Sequence, residues 1–342
     1  MNRDRFQAMT RRYDALRIAI VGDFCLDRYF EIDPSLSEES IETGLEVYNV
    51  TRVRTQPGAA GTILNNLVAL GVGEIIPIGF CGEDAEGWLL ERALRARERV
   101  SLRAFMRTEH RSTFTYTKPL LMRPGCTPRE LNRLDQKNWT ETPAVVSTEL
   151  VQLLRDVAGE VDALVVMNQV DRPGTGTITR PVLDCLGELA TSNPRLPILA
   201  DSRHGLAEFP GLSFKMNAEE FRRMVDGGQS LSFDEMRAQV GALAERNHRP
   251  AFVTLAERGM IGAEPGARVE HVASHPVRGE LDIVGAGDSV TANLAAALAA
   301  EATVTEAMEL AMAAASIVVH QLGTTGTASV KQIAAQLFES EG

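Results

Sequence analysis

Apolar residues along this chain fall into short solid blocks separated by stretches with helical periodicity. Arg17 to Asp23 is an apolar run closed by a polar turn, which predicts a strand buried on both faces. Ile75 to Gly79, Ala163 to Met167, Pro197 to Asp201 and Phe252 to Leu255 repeat that pattern. Between them, helices are predicted over Gly58 to Leu70, Ala85 to Arg97, about Arg180 to Thr191, and Val304 to Gln321. Phe6, Met9, Tyr13 and Leu16 recur at helical spacing and predict a short N-terminal helix packed on the body. Strands alternating with helices predict a mostly parallel sheet covered on both faces.

Two pieces break the rhythm. Residues 29–56 and 102–135 carry β-like alternation, as in Glu46 to Val50 and Thr113 to Thr117, and no convincing helix. They predict a small second sheet projecting from the main body; the alternative is an antiparallel extension of the main sheet. No repeat, low-complexity segment or flexible linker stands out, so the whole of 1–342 reads as one domain.

With 342 residues, 44% of them hydrophobic and 24% charged, the chain has the make-up of a soluble enzyme. A net charge of −11 without a Lys/Arg run argues against a nucleic-acid surface. No apolar run reaches membrane-spanning length, and residues 1–17 lack the apolar core of a secretory leader. Cys25, Cys81, Cys126 and Cys185 form no CxxC, so reduced thiols in a cytoplasmic protein are expected. The six histidines offer no metal-binding spacing.

Against this plain background Leu281 to Ser289 stands out. Gly285-Ala286-Gly287 is small enough for backbone N–H groups to surround an anion, and a strong Ala-rich helix begins there. Asp288 then falls in the first helical turn, beside that anion. As a dipole partner it would be ordinary; beside a phosphate it is useful if it takes a proton from an attacking hydroxyl. No GxGxxG follows the first strand, which disfavours a dinucleotide-dependent dehydrogenase.

Asp282-x-x-Gly285-Ala286-Gly287-Asp288 resembles the signature of the ribokinase (PfkB) carbohydrate kinases, and matches in that family's order run from about residue 17 to about residue 335. The resemblance implies a ribokinase-like, doubly wound α/β fold whose small sheet is a lid over the sugar, and a homodimer made through that lid. It implies ATP, Mg2+ and a sugar as partners, with a K+ site around Asp282 and Val284 in many relatives. It places substrate-binding acids at Asp23 and Asp27. Pro57 to Gly71 resembles the family's PGGAANVAxNLAxLG, so Gly58, Ala59 and Thr62 would face the sugar. Ala59 replaces the second glycine, and Thr62 the usual Asn, which removes two N–H donors. Asn66 is assigned to packing.

Arg111-x-Thr113, Thr117-Lys118 and Arg133-Leu134-Asp135 are similar to the kinase half of bifunctional ADP-heptose synthases, as is Gly22-Asp23 to Tyr29. Lys118 and Arg133 would then reach a substrate phosphate. The loop 168–176 departs from that group's SDYxKG. The chain ends soon after its last kinase-like helix, so an ADP-heptose route would need its nucleotidyltransferase from another protein.

On the nucleotide side the resemblance assigns Arg203 to the phosphates, Asn217 and Glu220 of an NxxE motif to hydrated Mg2+, and Thr254, Glu257 and Gly259 to a T-x-x-E-x-G loop. Gly323, in 321–327, would border the adenine. The expected activity is ATP-dependent phosphorylation of a sugar or sugar-phosphate hydroxyl, with Asp288 as base and the Gly285, Ala286 and Gly287 N–H groups holding the transferred phosphoryl. A non-catalytic sugar or nucleotide sensor and a nucleoside kinase of the same fold remain as alternatives.

Overall fold

The computed structural model describes residues 1–227, 231–277, 279–323 and 325–339. The apolar blocks pair into a central sheet of nine strands among the described residues. Their order is Glu270–Val272, Met260–Ala263, Ala251–Thr254, Ser213–Asn217, Ile198–Ser202, Ala163–Asn168, Arg17–Gly22, Glu74–Gly82 and Phe105–Thr108. Pairing is antiparallel at the Glu270–Val272 edge and parallel from Ala251–Thr254 onward.

Successive side chains of a strand point to opposite faces. Ile18 and Ile20 accordingly enter one apolar cluster, and Ala19 and Val21 enter another. The helices Ala60–Leu70, Ala286–Ala299 and Val304–Val318 close the first face; Ala144–Ala158, Arg180–Ser192 and Phe233–Asn247 close the second. This is the doubly wound α/β arrangement expected. No helix among the described residues is long and apolar enough to cross a membrane.

The second sheet is present, with altered membership. Leu134–Gln136, Thr115–Leu121, Phe24–Ile32 and Val50–Ala59 lie side by side, with Arg129–Glu130 on the second of these. Phe105–Thr108, expected in this sheet, instead pairs in parallel with Glu74–Gly82 at the rim of the central sheet. Met106 is buried against that face, which decides the pairing. Glu46–Val47 pairs only with Glu38–Glu39, in a hairpin whose Ile41 and Leu45 are exposed. The helix expected from Gly58 begins at Ala60, because Gly58 and Ala59 still pair with Cys25 and Phe24. The carboxyl ends of the parallel strands face the small sheet and leave a cleft where such folds collect ligands.

Candidate active site

Gly285 caps the helix Ala286–Ala299 with φ +82°, a left-handed conformation that glycine adopts without strain. The Asp282 carboxylate ties the loop down by accepting the N–H groups of Val284 (3.0 Å) and Gly323 (3.1 Å). Ala286 N–H is committed to Ile283 O (3.2 Å), so it is not available to an anion as expected. The N–H groups of Gly285, Gly287 and Asp288 have no backbone acceptor among the described residues. They are the donors at this helix start.

Asp288 is half-buried at the floor of a cleft of about 390 Å3. Burial pushes its carboxyl up to about 7; Asp201 adds to the rise, and Lys215 and Arg203 oppose it. A base with that affinity is half-ionised at neutral pH.

Beneath it lies a group the sequence reading passed over. The buried Lys215 ammonium donates to Asp201 Oδ2 (2.7 Å), which also accepts from Thr291 Oγ1 (2.8 Å). A Cβ built on Gly287 would stand 3.1 Å from Lys215 Nζ, so glycine there lets the ammonium close on the catalytic turn. Burial disfavours the Lys215 charge, yet Asp201 holds its pKa above the usual value. Arg203 also lines the cleft, is exposed, and has no ion-pair partner among the described residues.

On the lid side the cleft is lined by Asp27, Ala59, Thr62, Lys118 and Arg133, as expected. Asp27 is buried, which raises its pKa against the opposing pull of Lys118, whose Nζ is 3.6 Å from Oδ1. Gly58 does not line the cleft; a Cβ there would meet Asp27 Oδ2 at 2.6 Å, so its part is to leave room for that carboxylate. Arg133 lies over the Tyr116 ring and pairs with Asp135 (2.7 Å).

Asp23 needs a larger correction. Its carboxylate is buried, away from the cleft lining, and accepts the N–H groups of Gln169 (2.8 Å), Val170 (3.2 Å) and Thr177 (2.7 Å). It shapes the 169–177 loop and has no face for substrate.

Asn217 and Glu220 form a full capping box: Asn217 Oδ1 accepts from the Glu219 and Glu220 N–H groups, and Glu220 Oε2 accepts from Asn217 N–H. Both also line the cleft, and Glu220 Oε1 has no partner among the described residues. Past Gly287 the cleft opens into an apolar chamber of about 550 Å3 containing Thr254, Glu257, Leu255, Val290 and Met312. Gly259 and Gly323 line neither space. Each occupies a turn at positive φ (+91° and +71°), and a Cβ on Gly259 would strike Val272 O. Thr324, in the same C-terminal loop, lies outside the described residues.

A family model described as pfkB family carbohydrate kinase matches residues 206–331. Bifunctional proteins named HldE align along nearly the whole chain: 27% identity with that of Gluconacetobacter diazotrophicus over 95% of this chain, and 31% with that of Stutzerimonas stutzeri over 92%. Residues 206–331 carry a pfkB carbohydrate-kinase family domain. The chain spans 64% and 62% of the length of those two relatives. The same fold is seen in Arabidopsis thaliana ribokinase complexed with ribose and ATP, at TM-score 0.67 and 18% identity over 94% of this chain and 99% of that one. Escherichia coli phosphofructokinase-2 in complex with fructose-6-phosphate gives 0.68 and 17%, over 93% and 97%.

Proposed function

We propose that this protein transfers the γ-phosphoryl group of ATP to a hydroxyl of a sugar phosphate, with a heptose-phosphate-like acceptor favoured. The observation that carries the reading is Asp288, a carboxylate with a pKa of about 7 set beside unpaired N–H groups and the Lys215 ammonium. An acid in an anion site is repelled by a phosphate unless it accepts a proton as the reaction proceeds.

The acceptor lies in the polar cleft with Asp27 and Thr62 on its hydroxyls and Lys118 and Arg133 towards the phosphate it already carries. ATP enters from the apolar chamber. Asp288 takes the proton of the attacking hydroxyl, the new O–P bond forms, the bond between the γ-phosphorus and the bridging oxygen breaks, and ADP leaves. Gly287 and Asp288 N–H groups, Lys215 and Arg203 hold the charge on the transferred group. The free oxygen of Glu220, set in place by the Asn217 cap, suits Mg2+ held through its waters, since that ion takes few protein ligands; bound there it would neutralise phosphate oxygens. The K+ site expected at the carbonyls around Asp282 and Val284 has no part in this scheme.

An ADP-release screen with Mg-ATP against heptose 7-phosphate, hexose phosphates, free sugars and nucleosides tests the reading. Turnover is expected with a phosphorylated sugar. ATP binding without ADP release from any acceptor overturns it in favour of a sensor, and turnover confined to nucleosides overturns the acceptor class.

A further inference from the structure

In a chain whose net charge is −11, six arginines fall between residues 92 and 107. Three of them have partners of their own. Arg97 Nε donates to Asn65 Oδ1 (2.9 Å), Arg99 pairs with Asp14, and Arg103 pairs with Glu160 (2.6 Å). Arg92, Arg95 and Arg107 are different: they gather around a single acid.

Helical spacing sets Trp88, Glu91, Arg92 and Arg95 on one face of the helix Ala85–Arg95. Leu90 and Leu94, on another flank, pack into the first apolar cluster and hold the helix against the sheet. Arg107 arrives from the rim strand Phe105–Thr108. Strand alternation turns it away from buried Met106 and to the side of Phe105, which packs on that same cluster. Helix and strand thus bound an open hollow of about 510 Å3, lined by Trp88, Glu91, Arg92, Arg95 and Arg107. None of these residues borders the catalytic cleft or the apolar chamber.

Within the hollow Arg95 pairs with Glu91, and Arg107 Nε stands 3.8 Å from Glu91 Oε2. The Arg92 guanidinium lies 5.2 Å from the centre of the Trp88 ring and has no ion pair among the described residues. Glu91 is the one acid among the described residues that line the space. One carboxylate against three guanidiniums leaves about two positive charges unbalanced, close to the charge of a phosphate monoester at neutral pH. Like charges gathered this closely repel, and an anion between them removes that penalty. Guanidinium forks match phosphate oxygens in geometry, and an arginine stacked on an indole keeps its edge N–H groups free. Trp88 is 52% exposed, so its ring has apolar surface to offer beside the charges.

We propose that this hollow is a phosphate-binding site separate from the cleft. It takes a small phosphorylated metabolite whose phosphate sits among Arg92, Arg95 and Arg107 and whose organic part rests on Trp88. The inference uses no residue of the cleft and stands independently of the kinase reading.

The test uses the full-length protein carrying Trp139→Phe, which leaves Trp88 as its one tryptophan. ATP, fructose 6-phosphate and inorganic phosphate are titrated in turn and followed by Trp88 fluorescence. Equilibrium dialysis of wild type then counts the sites for the probe that responds. Arg92→Gln/Arg107→Gln removes two guanidiniums from an exposed surface, and Arg92→Lys/Arg107→Lys keeps the charge without the fork. At least one probe is expected to change Trp88 emission saturably. The glutamine pair should weaken that binding roughly 10- to 100-fold and lower the site count by one per chain, with a smaller loss in the lysine pair. A stronger response to ATP assigns the ligand as a nucleotide, and a stronger response to fructose 6-phosphate as a sugar phosphate. Inorganic phosphate binding as well as either overturns the part given to Trp88. No saturable response to any probe, or an unchanged site count in the glutamine pair, overturns the inference. Failure of phosphoryl transfer bears on the cleft alone.

Discussion

Asp288→Asn is expected to make the protein more stable at neutral pH while disabling it. Burial lifts the Asp288 carboxyl from its ordinary 3.8 to about 7. The folded protein therefore holds this proton more tightly than the unfolded chain does. Stability declines as pH rises between those two values and levels off above the higher one. Asparagine cannot ionise and escapes the decline. About three pH units at ~1.4 kcal/mol each set a ceiling near ~4 kcal/mol. Water in the cleft screens the half-buried group, which lowers the expected gain to about 1–3 kcal/mol. Urea unfolding of both proteins at pH 4, 6 and 8 reads this directly, provided the slopes stay equal. The midpoints should nearly coincide at pH 4 and separate in favour of Asp288→Asn by pH 8. Equal midpoints at pH 8, or a less stable variant there, would refute the claim that this carboxylate is held under electrostatic strain.

Lys215→Met removes the buried partner of Asp201 and should cost about 3–5 kcal/mol in denaturant, much of it recovered by adding Asp201→Asn. Because Lys215 opposes the rise at Asp288, its loss should also move the acidic limb of the pH–kcat/KM profile to higher pH; an unmoved limb contradicts that coupling. Ala59 adopts φ +54°, ψ −116°, a conformation suited to glycine. Ala59→Gly should raise stability by about 1 kcal/mol after glycine's larger entropy loss, measured by thermal or urea unfolding. Gly176→Ala drives a methyl against Asp23 and should destabilise by roughly 1–3 kcal/mol, and a stability equal to wild type would contradict the close packing seen there.

Much of the site was readable because its chemistry is local. Gly285, Gly287 and Asp288 sit within four residues, and a small-residue turn running into a helix has only a few geometries. The buried strands were legible for a similar reason, since a solid apolar run closed by a polar turn has few other uses. Lys215, Asp201 and Thr291 come from two strands and a helix, so only tertiary packing brings them together. Asp23 and Asp27 look alike in the chain. Asp23 lies just past the end of a central strand and turns beneath the 169–177 loop, whereas Asp27 lies on a strand of the small sheet and reaches the cleft. Phe105–Thr108 is too short for its alternation to choose between two sheets; burial of Met106 chooses. Gly259 and Gly323 carried a ligand reading in a motif, but their backbone angles place them in turns.

The most direct test of the central claim is radiolabelled γ-phosphoryl transfer to the identified acceptor, followed side by side in wild type and Asp288→Asn at saturating Mg-ATP. General-base catalysis predicts a fall of about 10²- to 10⁴-fold in the transfer rate with ATP affinity retained. Transfer at the wild-type rate by Asp288→Asn would contradict the account.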